Sequence, residues 1–323
     1  MTVAVTIVTF NSARFIAQCL QYVLQQDYPA FEIVVVDNAS TDETPAILKQ
    51  FEQQVKVVYN DQNVGFAAGQ NQAMGLSPAD WWLVLNPDVR LFPNFVSMLV
   101  AAGEAEPTVG SVSGKLLGMS ADLTIPAEPV FDSTGIVFTP NLRHLDRGSQ
   151  IADTGQYDRS EYVFGATGAA CLYRRKMMDD IALNGEYFDN DFFAYREDAD
   201  LAWRAQLYGW KCLYTPKAVA YHVRHVLPEK RSGLPALINM HSVKNRWLMR
   251  IKNITARLYA RHFIAITVRD CLVIAGCLLR EHSSLQGFVI VARLWRKTWA
   301  KRRVIMQKRR VSDEYMAAWF TGN

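Results

Sequence analysis

Two apolar runs in this chain stop on acidic turns, and this repeated arrangement constrains the fold more than any other feature. Ile33-Val34-Val35-Val36 runs into Asp37-Asn38-Ala39-Ser40-Thr41-Asp42, and Trp81-Trp82-Leu83-Val84-Leu85 runs into Asn86-Pro87-Asp88. Short apolar runs bounded by turn residues read as buried strands. In an open α/β sheet, ligands bind beyond the carboxyl ends of the strands. A carboxylate delivered there can hold a hard divalent cation, and the cation can hold a diphosphate. A single strand–Asp–turn junction is usually a cap or a solvated turn. Two of them feeding one edge point to a nucleotide-diphosphate site.

The rest of the chain continues the alternation. Val3–Val8 is a β-branched strand, and Asn11 or Ser12 caps an expected helix over Ala13–Gln25. Ile16, Leu20, Val23 and Leu24 recur in it at helical spacing. Thr41 or Asp42 precedes an expected helix over Glu43–Gln53, with Pro45 tolerated in its first turn. Val55–Tyr59 reads as a strand and Ala67–Met74 as a short helix. Such β-α-β order predicts an α/β fold with a mainly parallel sheet flanked by helices. Residues 118–160 are rich in Pro, Gly, Asp and Thr, with weak strands such as Ile136–Thr139, and read as an insertion or long active-site loop.

Charge divides the chain in two. Residues 241–323 hold 17 Lys/Arg against 4 Asp/Glu, a surplus of 13, although the whole chain is only +4. An acidic body with a basic end predicts an anionic partner surface. Arg293–Arg310 adds Trp295 and Trp299 to clustered cations, the composition of an interfacial helix. No uncharged apolar run reaches the roughly 20 residues of a membrane span, and the nearest candidate, Phe263–Leu279, is broken by Arg269 and Asp270. The five cysteines form no C-x-x-C pair, and the first residues lack the basic region of a signal peptide. Both features suit a cytosolic setting. No G-x-G-x-x-G follows the first strand and no G-x-x-x-x-G-K-[ST] occurs, which argues against dinucleotide dehydrogenases and P-loop NTPases. Asn63-Val64-Gly65-Phe66-Ala67-Ala68-Gly69-Gln70-Asn71 fits neither pattern; its glycines suit either close backbone approach to a ligand or a tight turn.

A third acidic cluster, Glu197-Asp198-Ala199-Asp200, follows Phe192-Phe193-Ala194-Tyr195-Arg196. Acids are stabilised at a helix N-terminus, and that suffices for Asp200. The aromatic approach to Glu197 and Asp198 suggests a partly desolvated pocket, where a carboxylate serves as a general base.

Taken in order, these segments resemble family 2 glycosyltransferases of the GT-A fold, most closely the bacterial rhamnosyltransferase-like members. The matching stretches are Val5–Asn11, Val35–Asp42, Asn63–Phe66 with Gly69 and Asn71, Asn86-Pro87-Asp88 as a variant D-x-D, and Glu197–Leu201 with Arg204 and Gly209, within residues 1–250. The resemblance implies that Thr9 and Asp37 contact the base and ribose of a donor nucleotide, with Asn11 nearby. Gly65, Phe66 and Asn71 would line the cleft. Asp88, with Asn86 beside it, would bind Mg²⁺ or Mn²⁺; Asn in place of the first acid removes one charged ligand. His222 matches a downstream histidine that can complete the metal site, and His225 competes for that role. Asp198 would act as base beside Glu197.

The implied organisation is a Rossmann-like GT-A catalytic domain over 1–240, with a nucleotide-binding half to about 117 and an acceptor half over 118–240. A basic, amphipathic helical region follows over 241–323. The implied activity is inverting transfer of a sugar, L-rhamnose from dTDP-L-rhamnose or else a sugar from a UDP-sugar, onto a lipid-diphosphate-linked glycan acceptor at the inner membrane face. A non-catalytic sugar-nucleotide or lipid-binding module is the reading from another class. Nucleic acid is not an expected partner; an anionic membrane surface is, and homo-oligomers stay open.

Overall fold

The computed structural model describes residues 1–224 and 235–321. The first half alternates as expected: β1 (Val3–Thr9), α1 (Ile16–Leu24), β2 (Phe31–Asp37), α2 (Thr44–Lys49), β3 (Lys56–Tyr59), α3 (Phe66–Gly75), β4 (Trp81–Leu85), β5 (Val89–Leu91) and α4 (Phe95–Glu104). The middle holds β6 (Val109–Met119), β7 (Phe131–Ser133), β8 (Ile136–Phe138), β9 (His144–Asp146), β10 (Glu161–Val163), β11 (Ala170–Arg174), α5 (Arg175–Ile181), α6 (Glu197–Leu207) and β12 (Lys211–Val223). Helices α7 (Ala236–Asn253), α8 (Ala256–Arg261), α9 (Phe263–Leu279), α10 (Leu285–Lys308) and α11 (Asp313–Ala317) close the chain.

The central sheet runs β10-β12-β6-β11-β4-β1-β2-β3. The β4-β1-β2-β3 half is parallel, β11 is antiparallel to both neighbours, and β12 is parallel to β6. Every residue of β1 and β4 is buried, which accounts for their unbroken apolar character. Helix α1 turns Ile16, Cys19, Leu20 and Val23 onto one face of this sheet. It starts three residues later than its periodicity predicts. The Ser12 and Ala13 amides are bonded instead to the side chains of Thr44 and Asp42, which hold residues 11–15 in a turn.

The insertion over 118–160 is more ordered than its composition suggests. Its β8–β9 hairpin buries Ile136 and Phe138 in the core, and β7 pairs with β6. Residue 240, where the sequence divides, lies inside α7, which packs on α6 and α10. The basic stretch 293–310 does not form one solvent-facing surface. Lys301 is only 3% exposed and pairs with Asp189, while Arg302 donates to the Ile251 carbonyl and Arg310 pairs with Asp180. Among the described residues, no helix is long and apolar enough to cross a membrane.

Candidate active site

Strand register gathers the acidic turns. Thr9 ends β1 opposite Asp37, and Asp37 ends β2 opposite Tyr59. Leu85 ends β4 beside Ile7 and opposite Ala170 of antiparallel β11. The turn after β4 and the turn before β11 therefore meet at the edge where Thr9 and Asp37 lie. The Asn86 amide confirms this by donating to the Ala169 carbonyl at 2.8 Å.

At one end of this edge Asp37 is held rigidly. Its Oδ1 accepts from the Thr9 hydroxyl (2.7 Å) and the Ser40 hydroxyl (2.6 Å), and its Oδ2 accepts from the Ser40 amide (3.0 Å). Asp37 is itself buried, as is Thr9. Asn11, at φ 51°, accepts from the Thr41 amide and so joins the same turn. Gly65 caps α3 at φ 86°, a conformation natural to glycine. A Cβ there would lie 2.6 Å from the Phe193 carbonyl, so Gly65 serves close packing against the loop before α6. Phe66 packs edge-on against Phe188. Asn71 uses all its hydrogen-bonding capacity on that loop: Nδ2 donates to the Phe188 carbonyl and Asn190, and Oδ1 accepts from the Tyr187 and Phe188 amides. The residues expected to line a cleft thus also fasten the loop that carries the base.

Asp88 and His222 come together although 134 positions separate them. The antiparallel pairing of β5 with β12 sets Val89 against His222, which brings the Asp88 Oδ1 within 3.5 Å of the imidazole Nε2. His222 Nδ1 donates to Asp132 at 2.8 Å; Asp132 also takes the Nε of Arg224, which reaches Asp146 at 2.7 Å. Burial depresses an imidazole pKa, but Asp132 and Asp88 on either side hold this one up at about 10. The same contacts hold Asp132 down at about 2 against its own burial. A carboxylate behind one ring nitrogen is the usual support of a metal-binding histidine, but here the other nitrogen faces Asp88, and a cation would have to displace its proton to be bound there. Among the described residues no group of three or more His, Cys, Asp or Glu is arranged to hold a metal ion by itself. Asp88 and His222 can supply at most two ligands, and a cation there would need the others from a diphosphate and water. His225 lies outside the described residues.

The third cluster starts α6 at the same edge. Asp198 Oδ2 accepts from the Gly168 amide at 2.9 Å, and Oδ1 from the Ala199 amide at 2.7 Å. Gly168 precedes β11, so this tie sets Asp198 next to the Asn86–Asp88 turn. Burial raises the Asp198 pKa despite the two amides. Glu197 is buried, its Oε2 has no hydrogen-bond partner, and burial with the charge of Asp198 raises its pKa well above the carboxylate range. Both adjacent acids are thus pushed upward, Glu197 the further of the two because it lacks the two amide contacts that partly offset burial at Asp198.

The chain before them is strained. Phe193, Tyr195 and Arg196 have φ of 66°, 71° and 69°. The fully buried Asn245 of α7 donates to the carbonyls of Phe192, Ala194 and Tyr195, and His241 stacks on Phe193 at 4.9 Å. An ionic cluster anchors the same segment from below. Lys301 contacts Asp189 (2.5 Å) and Asp191 (2.8 Å), Lys252 contacts Asp189 and Asp200, and Arg204 contacts Asp200 (3.1 Å). Sequence reasoning did not find Asp132, Arg224, Asn245, Lys252 or Lys301. Their partners in these contacts lie 50 to 112 positions away, and no local motif marks them.

Comparisons with known proteins agree with this geometry. The pattern described as "Glycosyl transferase family 2" matches residues 4–182. N-acetylglucosaminyl-diphospho-decaprenol L-rhamnosyltransferase of Mycobacterium tuberculosis is 26% identical over 224 residues, covering 60% of this chain and 67% of that protein. Succinoglycan biosynthesis protein ExoO of Rhizobium meliloti is 25% identical over 69% of this chain and 61% of that protein. A mannosyltransferase of Pyrobaculum calidifontis, solved with GDP-Man and Mn²⁺, superposes with a TM-score of 0.55 at 17% identity, covering 98% of this chain and 87% of that one. GalNAc-T7, solved with UDP, GalNAc and Mn²⁺, superposes with a TM-score of 0.61 at 14% identity, covering 78% and 48%.

Proposed function

The chain belongs to glycosyl transferase family 2, and from that premise we propose that it is an inverting, metal-dependent enzyme acting on a lipid-diphosphate-linked glycan. The family assignment answers the binding-module alternative: the chain is a glycosyltransferase. The preferred donor is dTDP-L-rhamnose. The named activity of the mycobacterial relative supports both the sugar and the lipid-linked acceptor. A UDP-sugar is the second reading, since a pyrimidine and a diphosphate are common to both donors. Such an acceptor would hold the enzyme at the inner face of the membrane.

The observation that supports this mechanism is the tie of Asp198 to the Gly168 amide, one residue before the carbonyl that the Asn86 amide meets. Asp198 accepts the proton of the acceptor hydroxyl as that oxygen bonds to the anomeric carbon. The bond from that carbon to the nucleoside diphosphate breaks in the same displacement, and the configuration inverts. Asp88 and His222 would hold Mg²⁺ or Mn²⁺, which neutralises charge on the departing diphosphate. Asp37 and Thr9 orient the nucleoside. Burial and the charge of Asp198 both disfavour a second negative charge on Glu197 beside the base.

The test is turnover of a panel of nucleotide sugars, with Mn²⁺ and with EDTA, by the native chain and by Asp198→Asn. Asp198→Asn should lose about 10²–10⁴-fold in transfer while donor affinity stays within a few-fold. Near-normal transfer by the folded variant would remove Asp198 from the base role. Turnover of UDP-sugars with none of dTDP-L-rhamnose would favour the second donor reading.

A further inference from the structure

Helix α9 is amphipathic in the wrong sense for a soluble protein. Of its 17 residues only Ile266 and Cys277 are buried. Ile264 (77% exposed), Val268, Leu272, Leu278 and Leu279 (78% exposed) face solvent at i, i+4, i+8, i+14 and i+15, one continuous stripe. Its two charged residues lie on the other side. Both are half-buried, and Asp270 pairs inward with Arg246 and Arg250 of α7. A surface helix normally turns its charges outward and its apolar stripe inward. A contiguous exposed apolar patch of this kind marks an interaction site.

The charges around the stripe identify its occupant. Arg261 precedes α9 and Arg280 follows it, both exposed. Across the turn His282–Ser284, α10 adds exposed Arg293, Arg296 and Arg303 beside the stacked, exposed pair Trp295–Trp299. No carboxylate between residues 256 and 308 is exposed. Two copies meeting through α9 would bring like charges together, which is destabilising. An anionic bilayer offers an apolar layer for the stripe and phosphates for the cations. A 17-residue helix is about 25 Å long, short of the roughly 30 Å hydrocarbon core, so it lies in the plane of the interface.

We propose that α9 is a membrane-inserting helix: its uncharged face sinks into the headgroup–acyl boundary of an anionic leaflet, and the exposed arginines of α10 sit over the lipid phosphates. The proposal shares with the functional reading only the idea of a lipid-linked acceptor, and it assigns attachment to the apolar stripe of α9 rather than to the basic stretch of α10. Cys271 lies on the stripe and is the exposed cysteine among five.

The experiment is vesicle flotation of the full chain on phosphatidylcholine with and without phosphatidylglycerol, together with the emission of an environment-sensitive dye on Cys271. Flotation on the anionic vesicles and a blue shift of the dye are expected. Combining Ile264→Gln, Leu272→Gln and Leu279→Gln should reduce vesicle partition by more than about tenfold, because each removes apolar area from the lipid contact. Sugar transfer to a water-soluble acceptor should stay at the native level, so a loss of transfer in the native chain would count against the functional reading and not against α9. Flotation unchanged by the triple variant, or a dye that stays water-like while the protein floats, would overturn the proposal. A blue shift without vesicles, together with a dimer that the triple variant dissociates, would overturn it in favour of a second copy.

Discussion

Lys301→Met tests whether the basic C-terminal helices are part of the catalytic machinery. Lys301 sits in α10, yet its ammonium is 2.5 Å from Asp189, 2.8 Å from Asp191 and 3.7 Å from Glu186. Asp189 and Lys301 are 2% and 3% exposed. Methionine keeps most of the side chain's volume and removes the charge. Breaking a buried ion pair by deleting one partner costs about 3–5 kcal/mol, because the remaining charge stays desolvated. Here Asp189 retains Lys252 and Asp191 retains Lys297, so the cost falls at or just below the bottom of that range, about 2–3 kcal/mol. At about 2.1 cal/mol/K per residue, unfolding of a chain this long carries roughly 0.7 kcal/mol/K, so the melting temperature should fall by about 3–4 °C.

The sign of the pH dependence follows from Asp189. Its pKa is pushed far below the ordinary value by Lys252 and Lys301 against burial, so its stabilisation is present above about pH 4 and lost as pH falls. The Lys301→Met deficit should therefore shrink in acid. The same cluster anchors the chain leading into Asp198, so kcat should fall about tenfold with little change in the KM for donor. Scanning calorimetry and steady-state kinetics read both effects, with Arg303→Met, on an exposed residue, as control. A Lys301→Met enzyme that melts within about 1 °C of the parent would refute the reasoning.

Three other outcomes are expected. Asp88→Ala should weaken nucleoside diphosphate binding in the presence of Mn²⁺ far more than in EDTA, and His222→Ala should do so more mildly; calorimetry that finds equal affinity with metal and with EDTA would remove both from a metal site. Glu197→Gln should gain stability relative to the parent as pH rises from about 4.5, since native Glu197 keeps a proton that the unfolded chain releases; melting curves across pH that stay parallel would contradict a neutral Glu197. Asn245→Ala removes the amide donor shared by three carbonyls of the strained turn, of which Phe192's keeps the Ala194 amide and Lys244, so hydrogen exchange at residues 193–197 should quicken and stability should fall by about 2 kcal/mol; unchanged exchange would show that the turn holds itself.

Much of the catalytic edge is legible in the sequence because its signals are local. An apolar run of five residues such as Trp81–Leu85 has one good solution, a buried strand, and the acid that follows must emerge at its carboxyl end. The order of the acidic turns, with the glycine-bearing stretch at 63–71 and the Glu197-Asp198 pair, carries the family resemblance. The strand bounds of β4 follow from the same patterns, as does the helix that starts in the Glu197-Asp198-Ala199-Asp200 cluster.

What the tertiary structure alone decided is which distant groups meet. Nothing around Asp132 marks it as the partner of His222; only β7 pairing with β6, beside β12, brings a residue of the insertion there. Asp200 reads as an ordinary helix-start acid, yet it is fully buried on Lys252, Asn253 and Arg204. The basic end of the chain reads as one charged surface, yet the fold sorts its cations: Lys252 and Lys301 go inward to buried carboxylates, and Arg293, Arg296 and Arg303 stay outside. Composition records how many charges a segment carries. Where each one points depends on the helix face that packing buries, and that is settled only when α7 and α10 close over the loop before α6.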